Sequence, residues 1–166
     1  MIQVEIKKEW VEKAKEKAKE MGVLNHSILK GNGNITGFIG EFMVENFLKA
    51  KIENTYDYDI IKNNVKIDVK SKRCTSIPRP DYDCSVPAYN TRQKCDLYVF
   101  TRIMNTQDIG WICGVISKKD FFKKARLWKK GQVDESNMME FKEDSYNLKI
   151  RDLVDFKMLL ENKKKV

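Results

Sequence analysis

The chain reads as a single α/β domain, residues 1–166, built on a mixed sheet of four to five strands flanked by helices. Three observations predict it. Residues 65–72 alternate as a strand does, with Val65, Ile67 and Val69 on one face and Lys66, Asp68, Lys70 and Lys72 on the other. Residues 7–21 and 35–50 instead place apolar side chains at helical spacing. A length of 166 residues is enough for one substantial core and short for two.

The first helix should span residues 7–21. Trp10, Val11, Ala14, Ala18 and Met21 form a thin apolar stripe between Glu and Lys pairs, and Gly22 is the stop. His26, the only histidine, has no partner motif and reads as a loop or packing residue, not a general base. Residues 30–34 form a flexible polar turn. The next helix should run over residues 35–50 with Asn34 as its N-cap. Ile35, Phe38, Ile39, Phe42, Met43, Val44, Phe47 and Leu48 make it apolar around most of its circumference, which predicts burial between other elements. Glu41 stands out in that setting, because a buried carboxylate needs a cation, a metal or hydrogen-bond donors. Gly37 and Gly40 lower helix propensity and permit close approach of a strand or substrate.

Residues 56–61 alternate again, and Lys62, Asn63 and Asn64 close a tight hairpin onto residues 65–72. That hairpin brings Asp59 and Asp68 together on adjacent strands, with Lys70 one step further. Residues 73–94 hold all three prolines, Pro78, Pro80 and Pro87, and read as a long functional loop. Its tyrosines and arginines are the residue types that stack on bases and bind phosphates. Residues 95–103 and 110–116 read as two further strands around a turn at residues 105–108. Ser117 then caps a helix through residue 125, where Lys119, Lys123, Arg126 and Lys130 make the densest basic patch. Residues 131–144 show no period. Residues 146–150 read as an edge strand, residues 153–160 as a closing amphipathic helix, and the terminal lysines as a frayed tail.

The formal charge of +8 and a pI near 9.2 point to a polyanionic partner, most simply nucleic acid. No apolar run reaches the roughly 18 residues that span a bilayer, so a cytoplasmic protein without membrane association is expected. The four cysteines include no Cys-x-x-Cys pair and read as reduced thiols.

Gly40-Glu41 on a helix, Asp59 entering one strand and Asp68-Val69-Lys70 on the next together resemble the PD-(D/E)xK nuclease superfamily. The match covers residues 37–72. It departs from the family pattern where Tyr58, not proline, precedes Asp59, and where the second acid is Asp, not the commoner Glu. Asp57 shares a face with Asp59 and is an alternative first acid. The resemblance implies a restriction-endonuclease-like core and a metal-dependent deoxyribonuclease, with Glu41, Asp59, Asp68 and Lys70 as catalytic residues. A hard cation such as Mg²⁺, with Mn²⁺ as substitute, suits the oxygen ligands of Asp59, Asp68 and the Val69 carbonyl, with Glu41 binding directly or through water. Lys70 would orient or help deprotonate the attacking water. Lys72, Arg73, Arg79, Arg92, Lys119, Lys123, Arg126 and Lys130 are the expected DNA contacts. Archaeal Holliday junction resolvases share this motif order, so a dimeric junction-cutting enzyme is one alternative, and a non-catalytic nucleic-acid-binding module is another. Taken singly, acids and lysines on the wet face of a hairpin form ion pairs worth little. Their co-occurrence with a carboxylate in an apolar helix and a basic chain favours the nuclease.

Overall fold

The computed structural model describes residues 1–21 and 32–161. Strand β1 (Ile2–Glu5) precedes helices α1 (Lys8–Met21) and α2 (Asn32–Leu48), followed by strands β2 (Lys51–Ile52), β3 (Ile60–Lys62), β4 (Val65–Cys74) and β5 (Asp83–Pro87). Strands β6 (Leu97–Met104) and β7 (Ile109–Ser117) lead into helix α3 (Lys118–Lys124). Strands β8 (Arg126–Trp128), β9 (Val133–Asp134), β10 (Met139–Glu140) and β11 (Ser145–Lys149) follow, and the single-turn helix α4 (Met158–Glu161) ends the described chain.

The central sheet has the order β1-β7-β6-β4-β3-β2. Only β4 and β6 run parallel, from Ile67 opposite Leu97 to Cys74 opposite Met104, so the sheet is mixed, as expected. It has six strands instead of four to five. The additional ones are β1 and the two-residue β2, each too short to show a period in sequence. The β3–β4 hairpin closes at Asn63 and Asn64, whose φ angles of 49° and 61° are left-handed values that asparagine tolerates.

Period-two alternation sorts the sheet residues into two cores. Ile67, Val69, Val99, Ile103 and Ile112 face α2, which buries Phe38, Ile39, Phe42, Met43 and Val44. Helix α1 lies on α2, with Trp10 and Ala14 buried, which explains why α2 is apolar on nearly all sides. On the other face, Tyr98, Phe100, Trp111 and Ile116 pack with Phe121 of α3 and with Cys84, Val86 and Leu148. Cys84 and Val86 belong to β5 and Leu148 to β11, in a smaller sheet of order β5-β11-β8.

Several expectations are corrected. Helix α2 begins at Asn32, so Asn34 lies within its first turn and is not the N-cap, and the expected polar turn gives way to helix from Asn32 onward. Residues 22–31, with His26 and Gly22, and the lysines of residues 163–165 lie outside the described residues. Residues 56–59 are not strand, and β3 starts only at Ile60. Residues 73–94 are not one loop, because they contain β5 and a 3-10 turn at Ala88–Arg92. Pro87 is tolerated there because β5 is an edge strand, paired only with β11. Strand β11 is the middle of its sheet, not an edge, and β9 and β10 form a small hairpin where no period was visible. Among the described residues the closing helix is only α4. Before it, Val154 bridges Val115 of β7, so backbone pairing takes the residues that the pattern gave to helix. Ser117 does cap α3, accepting a hydrogen bond from the Asp120 amide.

Candidate active site

The carboxylates Glu41, Asp59 and Asp68 come from three separate segments. Glu41 sits in the middle of α2, next to Gly40. A Cβ built on Gly40 would lie 2.0 Å from Ser71 Oγ and 2.7 Å from Thr101 Oγ1, so the absence of a side chain is what lets α2 approach β4 and β6. Glu41 is 6 % exposed and Asp68 2 %, so each needs a partner inside the protein. Glu41 Oε2 accepts a hydrogen bond of 2.5 Å from Asn54 Nδ2, and Asn54 Oδ1 accepts one of 2.9 Å from Lys17 of α1. The Lys17 ammonium also lies 5.1 Å from the Phe38 ring and 5.3 Å from the Phe42 ring.

Asp59 stands just before the first residue of β3, beside the part of β4 that runs on past it. Its amide donates to the Ile67 carbonyl at 3.0 Å, and its Oδ2 accepts from the Val69 amide at 2.7 Å. The carboxylate therefore replaces the ladder partner that β3 no longer supplies. Asp68 and Lys70 share the face opposite Val69. Lys70 Nζ lies 2.7 Å from Asp68 Oδ2 in an ion pair. That buried oxygen makes no hydrogen bond.

Burial pushes Glu41 up to about 7, aided by the charges of Asp68 and Glu45 and opposed by the Asn54 amide and the Lys17 ammonium. Burial likewise pushes Asp59 up to about 8, reinforced by Asp68 and Glu41 and opposed by the Val69 amide and Lys70. The three acids thus feel one another's charge. Asp57 is engaged elsewhere, with its Oδ1 accepting from the Lys94 amide at 3.0 Å.

The sequence places Gln93 only among the polar residues of the 73–94 segment, with no role of its own. It is buried just after the 3-10 turn, and its side chain reaches both members of the ion pair: Nε2 lies 3.3 Å from Asp68 Oδ1, and Lys70 Nζ lies 3.3 Å from Oε1. The Nε2 also donates to the Tyr56 carbonyl at 2.9 Å. No local pattern marks such a residue, since its partners lie 37, 25 and 23 positions away.

The expected DNA contacts are spread widely. Lys72 turns inward to Ser85 Oγ at 2.5 Å, and burial beside Arg102 lowers its ammonium to about 8. Arg73 bonds Thr36 Oγ1 at 3.2 Å, and Arg79 pairs with Asp81 beneath the Tyr82 ring. Arg92, Lys119, Lys123 and Lys130 are exposed, and Arg126 stacks on Trp128 at 3.7 Å.

Among the described residues, no three His, Cys, Asp or Glu side chains are grouped closely enough to hold a metal ion as they stand. Mg²⁺ does not require such a cage. It keeps several waters and is commonly bound through one or two carboxylates together with substrate phosphate oxygens. Asp68, whose buried Oδ2 is met by the Lys70 ammonium alone, and the buried Asp59 fit that mode. Comparison with protein-family models and with curated proteins finds no match. Among the described residues, no helix is long and apolar enough to cross a membrane.

Proposed function

We propose that the protein is a metal-dependent nuclease that hydrolyses DNA phosphodiester bonds on a restriction-endonuclease-like core. The observation that carries the reading is geometric: Asp59 bonds the Val69 amide of β4, the neighbouring Asp68 pairs with Lys70, and Glu41 and Asp68 are both buried. Buried acids held up to about 7 and about 8 are unfavourable for folding, and a divalent cation relieves them. The hairpin carrying Asp59 and Asp68, the parallel β6 beside β4 and the helix bearing Glu41 all support the core assignment.

In this reading Asp59 and Asp68 would hold the ion, which when bound would supply charge neutralisation at the scissile phosphate and activation of water. The Val69 carbonyl contributes because a strand residue's N–H and C=O point to the same side, and the Val69 N–H points at Asp59. Glu41 acts directly or through water, oriented by Asn54. Lys70, on the Asp68 face, orients the attacking water and stabilises negative charge as the bond breaks. DNA is preferred over RNA on the family resemblance, and the basic chain supplies attraction to phosphates.

The test is cleavage of linear, circular, single-stranded and four-way-junction DNA with Mg²⁺ or Mn²⁺, comparing the parent with Asp68→Ala and Lys70→Ala. Both variants should lose at least about 100-fold in rate, the order expected for removing one positioned acid–base or charge-stabilising group, and retain most of their DNA affinity. Preference for the four-way junction together with dimerisation would select the resolvase alternative. A second reading, a non-cutting nucleic-acid-binding module, draws on the exposed basic residues Arg92, Lys119, Lys123 and Lys130. Tight DNA binding without cleavage of any substrate would establish it.

A further inference from the structure

We propose that Gln93 is a positioning residue that holds the Lys70 ammonium in place when a divalent cation occupies Asp68. The inference rests on the nuclease reading and goes beyond the four motif side chains. Every polar group of Gln93 is engaged. Its amide donates to the Asn90 carbonyl at 3.1 Å, and its own carbonyl accepts from Lys118 Nζ. Its Nε2 meets the Tyr56 carbonyl and the Asp68 carboxylate, which only accept, and its Oε1 meets the Lys70 ammonium, which only donates. The partners therefore fix the orientation of the side-chain amide.

That orientation matters once the ion is bound. Lys70 rests 2.7 Å from Asp68 Oδ2, and an ion held by Asp68 would compete for that oxygen and repel the ammonium. Gln93 Oε1 is the acceptor, already beside Lys70, that would keep it at the site. A neutral amide suits the position because it offers a donor to Asp68 and an acceptor to Lys70 without adding a fourth negative charge to three that already repel.

The experiment compares the parent with Gln93→Met, of similar length but without polar atoms, alone and in a Lys70→Ala background. Cleavage rate is measured alongside KM for DNA and the affinity of the full chain for Ca²⁺ by calorimetry. Gln93→Met should lower kcat by about 10- to 100-fold, the usual effect of losing an orienting partner. Its KM and Ca²⁺ affinity should stay within about threefold of the parent, the scale on which affinities register less than about 1 kcal/mol. In a Lys70→Ala background Gln93→Met should cost almost nothing more, because the two residues act as one unit. An equal loss in that background, or a fall in Ca²⁺ affinity matching the fall in rate, would overturn the role. Parent-like cleavage by Gln93→Met would overturn it while leaving the nuclease reading intact. Absence of cleavage by the parent itself would remove both.

Discussion

Asp59 and Glu41 carry the clearest consequence of a single side chain's surroundings. Both titrate well above ordinary carboxylates, so between about pH 4 and pH 8 the folded chain binds protons that the unfolded chain has released. Stability without divalent cation is therefore present at low pH and is lost as pH rises through about 7 and 8. The loss is about 1.4 kcal/mol per pH unit for each group while it differs fully between the two states. Thermal unfolding in chelator should show a falling melting temperature from pH 5 to 8.5. Ca²⁺ should reverse much of that fall at pH 8, and Asp59→Asn should remove both the slope due to Asp59 and most of the Ca²⁺ effect. A flat profile that does not respond to Ca²⁺ would rule out the charge cluster. Asp59 and Asp68 were legible as a facing pair, because hairpin register follows from two asparagines and an alternating pattern. Gln93 was not, because nothing within its own segment distinguishes it from other polar residues.

Helix α2 shows how one element is tuned at single positions. Gly40 and Gly37 both weaken a helix by about 1 kcal/mol relative to alanine. A methyl at Gly40, however, would overlap Ser71 Oγ and Thr101 Oγ1, which hydrogen-bond to each other at 2.7 Å, whereas one at Gly37 has nothing within 4 Å. Gly37→Ala should stabilise by up to about 1 kcal/mol. Gly40→Ala should destabilise, because overpacking of about 1–3 kcal/mol outweighs the propensity gain, and it should lower cleavage by displacing Glu41. Denaturant titration of both variants checks the pair, and the same sign for both would contradict the close approach of α2 to β4. The dense apolar pattern of α2 announced its burial, and α1 covering its outer side supplies the reason. The fate of residues 153–160 was hidden because an apolar pattern does not say whether neighbouring backbone will claim the segment, as β7 does at Val154.

At the scale of the molecule the described residues form two cores, one on each face of the central sheet, and the four thiols belong to the second. Cys74, Cys84, Cys95 and Cys113 are free and buried. Burial raises all four, with Cys84 and Cys113 pushed up to about 12 and Cys95 to about 11. At pH 8 a thiol-reactive dye should label the native protein slowly, and denaturant should expose four rapidly reacting groups per chain. Fast labelling of the native chain would show that the second core opens readily. The second core was only half legible. Residues 97–117 declared themselves as central strands, but the smaller sheet behind them joins β5, β8 and β11 across more than 50 positions, and short strands paired at that distance leave little local trace.

Local chemistry was enough to place the turn at Asn63 and Asn64, the alternation of β4 and the Ser117 cap, since each depends on neighbours within a few positions. Packing alone decided which polar residues meet: Asn54 on Glu41, the Val69 amide on Asp59, and Gln93 between Asp68 and Lys70. Such meetings depend on how helices and strands from distant segments stack, and no periodicity records that.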